Sequence, residues 1–254
     1  MAIALLSATL LALAARRLGL LTNSGVVAAA MVGAAAVHAG VDWVVLLLVF
    51  FASSNLLSHW RSAERDARTA GFVGKGARRD ARQVIANGGV FGLAALASTW
   101  GDAVVWSAVG AGAIAAATAD TWSTEVGTVS GQTPRLVLSG RAVPAGTSGA
   151  ITPAGTAAAV CGAVLAAFLA QCLDWGVPVL STAAGGLGGS LADSILGAAI
   201  QERRWCDACS ALTEQRVHRC GAATRHRGGI RGLDNDMVNL LSTIAGAAIT
   251  WWLV

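Results

Sequence analysis

The chain has 254 residues, 55% hydrophobic and only 13% charged, with a mean hydropathy of +0.61. A soluble domain carries about a quarter charged residues, so a water-soluble globular enzyme is excluded. The net charge of +4 reads as membrane orientation and attraction to anionic lipid, not as a nucleic-acid interface.

Ala2–Ala15 is apolar with no basic segment before it, and reads as a first short span, not a removable signal. Apolar runs separated by polar breaks then predict an all-α, polytopic membrane helix bundle of about eight transmembrane helices. They fall near 2–20, 24–39, 41–58, 84–99, 102–119, 153–173, 177–199 and 237–254. Residues 1–254 form a single integral membrane domain, with long loops at about 59–83, 120–152 and 200–236. If the helices alternate in direction, all 18 Lys and Arg lie on one face. The positive-inside rule makes that face cytoplasmic and puts both termini outside. The tryptophans read as interfacial belts: Trp43, Trp100, Trp175, Trp251 and Trp252 at the outer boundary, Trp60, Trp122 and Trp205 at the inner one, with Trp106 left over.

The segment Gly74–Gly89 runs from the second of the basic loops into the fourth helix. On a helix Arg79, Gln83 and Asn87 share one face, with Arg82 beside them. Cations leading into amides suit an anionic head group, with Arg giving bidentate contacts and Lys75 a point charge; plain positive-inside anchoring is the alternative for Lys75 and Arg78. The fifth helix ends in Ala119-Asp-Thr-Trp-Ser-Thr-Glu-Val-Gly127. Asp120, Thr124 and Glu125 there would oppose the helix dipole unless they bind a cation, and their hard oxygens fit Mg²⁺ shared with substrate phosphates. Two ordinary interfacial acids remain the bland alternative.

Pro144–Gly155, rich in Gly, Ser and Thr, could offer backbone N–H groups to a phosphate at the start of the sixth helix. No Gly-x4-Gly-Lys-Ser/Thr loop occurs, so a P-loop nucleotide site is not expected. In the seventh helix, Asp193 is the one charged residue of Val177–Gln201, and an ionisable group inside a span marks a functional site. The loop that follows contains Cys206-x2-Cys209 and His218-x-Cys220. Four soft ligands within one short segment suit a closed, structural Zn²⁺ knuckle. A cytoplasmic loop disfavours disulfides. Cys161 and Cys172 read as small buried residues of the sixth helix. The last helix opens with Leu233-Asp-Asn-Asp-Met-Val-Asn239, where Asp234 or Asn235 can cap and Asp236 and Asn239 share a face.

Taken together, Gln83–Gly89, Ala119–Gly127, Gly146–Thr152, Gly188–Gly197 and Leu233–Asn239 resemble an integral membrane family of unknown function that includes transmembrane protein 19 and phytyl phosphate kinase. Ala150 stands where the family has a glycine, and the cysteine knuckle belongs to only part of the family. The resemblance implies phosphoryl transfer from a nucleoside triphosphate, CTP, to an isoprenoid (phytyl or prenyl) monophosphate at the cytoplasmic membrane face. On that reading Asp120, Glu125, Asp193 and Asp236 hold Mg²⁺, while Lys75, Arg79, Arg82, Gln83, Asn87, Thr124 and Asn239 bind phosphate. The alternatives are an ion-coupled transporter, for which no inverted repeat is evident, and a CTP-dependent lipid cytidylyltransferase.

Overall fold

The stretch Ser107–Ala119 contains no residue larger than isoleucine, and in the computed structural model, which describes residues 2–69 and 78–254, it becomes the axis of a helix bundle. It lies within α6 (Ala103–Val129), where nearly every residue from Ser107 to Ala119 is buried. A helix apolar on all sides must be buried on all sides, and small side chains let neighbouring backbones approach closely. Seven other long helices accompany it: α1 (Ala2–Arg17), α2 (Asn23–Ala39), α3 (Val41–His59), α5 (Ala81–Ala97), α7 (Pro153–Cys172), α8 (Val179–Ala199) and α9 (Asn235–Trp252). Of these, α3, α5, α7, α8 and α9 pack directly on α6, while α2 packs on α5 and α1 on α2.

These eight helices coincide with the eight apolar runs. Among the described residues, α3, α6 and α7 are long and apolar enough to cross a bilayer, and α2 is apolar but shorter. The main difference in extent is α6, which continues through Asp120 and Glu125 to Val129. At 27 residues it measures about 40 Å, more than the roughly 30 Å hydrocarbon core of a bilayer. The expected loop at 120–152 therefore begins only after Val129, and the carboxylates of α6 are not at its C-terminus. Among the described residues a further short helix, α4 (Ser62–Thr69), lies in the basic loop expected at about 59–83.

Polar side chains start most helices. Asp80 and Gln83 form a capping box on α5, Asp102 accepts from Val104 and Val105 on α6, Thr152 caps α7 ahead of Pro153, and Asp234 caps α9. Satisfying orphan N–H groups in this way is worth about 1 kcal/mol per helix.

Two tryptophans correct the belt reading. Trp43 and Trp175 are 3% and 5% exposed, with ring centroids 4.3 Å apart, and Trp43 also meets Phe91 at 5.1 Å. They fill the core between α3, α5 and α6, whereas Trp60, Trp100, Trp251 and Trp252 are exposed. Cys161 and Cys172, read as buried, lie on the exposed face of α7.

Small β elements close one end of the bundle. Strands β1 (Arg135–Leu136) and β2 (Ala150–Ile151) form an antiparallel pair. After α8 come β3 (Arg203–Cys206), β4 (Ala211–Thr213) and β5 (Arg225–Gly228), an antiparallel sheet of order β4-β3-β5. We refer to the end carrying these loops and α4 as the basic end.

Candidate active site at the basic end of the bundle

Three helices bring acids together. Asp120 is on α6, Asp193 on α8 and Asp236 on α9, and the Asp193 carboxylate interacts electrostatically with Asp120 and with Glu214. The Asn239 amide, oriented by its neighbours, donates to the Asn235 carbonyl at 3.1 Å and to Asp193 Oδ2 at 3.0 Å. It thus ties α9 to α8. Asp236, one helical turn before Asn239, is buried. Arg82, exposed at the start of α5, reaches Asp234 at 2.7 Å and Asp236 at 3.7 Å. The glycines of α8 explain how the helices come this close. Gly189 leaves room for Ala116 and Ser242, and Gly185 for Gly246 and Thr250. Ser242 seals the contact by donating to the Gly189 carbonyl at 3.0 Å.

The knuckle contributes a further acid. Glu214 directly follows β4; its carboxylate accepts from Ser148 Oγ and interacts with Asp193 and Asp234. Burial pushes its carboxyl up to about 7 because the charged form loses hydration. Sequence reasoning missed this residue. The only available signal was an acidic side chain between the two halves of a knuckle whose other charges are largely basic.

Cys206, Cys209, His218 and Cys220 place their ligand atoms within 4.8 Å of one another. Cys206 Sγ lies 3.7 Å from Cys220 Sγ, and His218 Nδ1 lies 3.2 Å from Cys220 Sγ. Zn–S bonds of about 2.3 Å in a tetrahedron set sulfurs about 3.8 Å apart, so this donor set fits Zn²⁺. The acids are not gathered into a closed cage of this kind. Mg²⁺ asks less of a protein, being held by one or two carboxylates plus substrate phosphates.

Other expected site residues fall elsewhere. Glu125 is turned to α4: Arg65 pairs with it at 2.9 Å and Ser58 Oγ donates to it at 2.6 Å. It lies five residues beyond Asp120, well around the helix from it. Thr124 is exposed and is not brought to the acids. Arg79 precedes α5, so the expected single helical stripe through Arg79, Gln83 and Asn87 does not start on the helix. Its backbone bridges to Leu20 and Thr22, and its guanidinium sits 5.6 Å from the Phe50 ring centroid. Gln83 Oε1 is occupied by the capping box, and the Asn87 amide donates to the Gln83 carbonyl at 2.9 Å. The N–H groups that opened α7 to a phosphate are also used: Gly155 donates to Thr152 and Ala154 to Gln132. Lys75 lies outside the described residues.

The bundle therefore defines an integral membrane protein with a polar, acid-rich centre at one end and a Cys/His knuckle covering it. Its relatives make the assignment specific. Residues 6–247 match the family described as "Integral membrane protein DUF92", and the chain belongs to that family. It is 32% identical over 250 residues to "Uncharacterized membrane protein MJ0933" of Methanocaldococcus jannaschii, covering 97% of this chain and 91% of that one. It is 30% identical over 239 residues to "Protein PGR" of Arabidopsis thaliana, covering 84% and 81% respectively. No solved structure matches the chain.

Proposed function

We propose that the protein transfers the γ-phosphoryl group of a nucleoside triphosphate, CTP, to an isoprenoid monophosphate at the cytoplasmic face of a membrane, releasing the diphosphate. The observation carrying this reading is the convergence of Asp120, Asp193, Asp236 and Asn239 from three helices beside Arg82. The resemblance of the motifs to the phytyl phosphate kinases supplies the substrate class. The placement of the cations supports eight spans with both termini outside and the basic end cytoplasmic.

When bound, Mg²⁺ would supply positive charge that offsets the charge of the phosphates. The protein's own part is positioning and electrostatics. Asp120, Asp193 and Asp236 would hold the cation, Asn239 fixes the Asp193 carboxylate, and Arg82 neutralises charge on the transferring group. An oxygen of the lipid monophosphate forms a bond to the γ-phosphorus as the bond from that phosphorus to the β–γ bridging oxygen breaks. Prenyl diphosphate and CDP are the products. The attacking phosphate is already an anion, so no strong base is needed. Glu125, by its pairing with Arg65, anchors α4 against α6. Cys206, Cys209, His218 and Cys220 would take a structural Zn²⁺, and the folded knuckle holds Glu214 near Asp193.

The test is mass-resolved product analysis with purified protein, Mg²⁺, CTP and C10–C20 prenyl monophosphates. Prenyl diphosphate with matching CDP is the expected result. CDP-prenyl with pyrophosphate would make the protein a cytidylyltransferase. No turnover with any triphosphate, from monodisperse protein, would overturn the transferase reading in favour of a carrier built around Asp193.

A further inference from the structure

A cavity of about 790 Å³, counted with its open mouth, lies among α1, α2, α3 and α5. Ala12, Ala29, Gly33 and Leu47 are typical of its walls, and among the described residues Arg79 and Asn87 are its only polar side chains. Its enclosed part is about 110 Å³, so the site is an open apolar cleft with polar groups at one end, the pattern that fixes one end of an apolar ligand. Arg79 is set for that role. No described residue makes a hydrogen bond or ion pair to its guanidinium, which rests near the Phe50 ring and feels Glu125 only at longer range. A cation held among apolar side chains without a close anion is costly, and an anionic ligand would relieve that cost.

The cavity also has a defined relation to the acids. Arg79 and Arg82 flank the N-cap of α5, Arg79 on the cavity side and Arg82 on the side of Asp234 and Asp236. A head group seated at Arg79 is thus presented across one helix N-terminus to the reacting centre.

We propose that this cavity holds the hydrocarbon chain of the acceptor lipid, with its phosphate at Arg79 and its far end between α1, α2 and α3. The identity of the ligand rests on the phosphoryl-transfer reading; the position of the site does not, because it is read by binding.

The experiment uses the full chain in detergent and a geranylgeranyl monophosphate carrying a diazirine at the chain end, with labelled peptides mapped by mass spectrometry. Label is expected in α1, α2 and α3. Unlabelled geranylgeranyl monophosphate should compete about tenfold better than geranylgeraniol, the scale of one charge-assisted contact. Arg79→Gln should abolish that preference and Arg79→Lys retain it, while Ala29→Phe, which fills the cavity, should remove the label from these helices. Both effects count only for variants that stay monodisperse. Label spread over the outer faces of α7 and α8, or label in the cavity competed equally by the alcohol, would overturn the proposal. Competed label without diphosphate formation would leave this site standing and remove the kinase; turnover with label elsewhere would do the reverse.

Discussion

Gly246 lets α9 approach α6 and α8 at the level just beneath the acids, and Gly246→Ala tests whether that approach matters. An added Cβ would lie 2.6 Å from Ala116 Cβ, 2.7 Å from the Gly112 carbonyl oxygen and 3.0 Å from the Gly185 carbonyl oxygen. Ordinary contact begins at 3.4 Å, so α9 would have to move by about 0.8 Å, and two of the three obstacles are backbone that no rotamer can clear. At an open helix position Gly→Ala gains about 0.5–1 kcal/mol, whereas overpacking costs about 1–3 kcal/mol. The expected net loss is about 1–2 kcal/mol, a fall in Tm of roughly 2–8 °C for a chain of this size. Asp236 and Asn239 ride on the same helix, and a displacement approaching 1 Å at reacting groups costs about a hundredfold in rate. Thermal unfolding in detergent reads the first effect, with exposed Ala248→Ser as control. Diphosphate formation well below both Tm values reads the second. A Tm equal to or above that of the parent would refute the close approach of α9.

Asp193→Asn and Asp120→Asn should each lower turnover at least about a hundredfold without lowering Tm; full turnover in either purified variant would remove that residue from the mechanism. Burial raises the Glu214 carboxyl from 4.5 to about 7, so its folded form keeps a proton that the unfolded chain releases. Stability from this group is full below about pH 4.5 and is lost as pH rises through about 7, by at most about 3 kcal/mol. Glu214→Gln should therefore gain on the parent between pH 5 and pH 8 in Mg-free unfolding; a pH-independent difference would contradict the buried placement. The purified protein should carry one zinc per chain by elemental analysis, lost in Cys209→Ser together with amide protection across 200–234 but not in α6 or α7. Metal-free protein with unchanged protection would show that the knuckle folds without it.

The helices were legible because each is an apolar run bounded by turns, and burial of α6 follows from its alanines and glycines alone. Its last ten residues were not. Asp120 and Glu125 look like an interfacial break, and only packing against α4 and α7 shows why the helix continues. Trp43 and Trp175 sit where belt tryptophans would, and composition cannot distinguish a ring turned to lipid from one stacked on Phe91. The acids of α6, α8 and α9 stood out in the sequence because charge is rare in such helices. Glu125 stood out for the same reason, yet it is paired with Arg65, a partner 60 residues away. Glu214 was hidden because a charged residue in a polar loop is unremarkable until the loop folds back over the bundle.

Asp236 and Asn239 are carried by α9, which follows α6 and α8 in the chain and so leaves the ribosome after them. Until it inserts, Asp120 and Asp193 face a groove in α6 and α8 lined by glycine and alanine, and Asn239 is not there to hold the Asp193 carboxylate. Arg82, already in place on α5, has neither of its carboxylate partners on 234–236. The acid cluster is thus completed only when α9 docks, so a nascent chain holding α1–α8 alone has most of the scaffold but lacks Asp236 and Asn239.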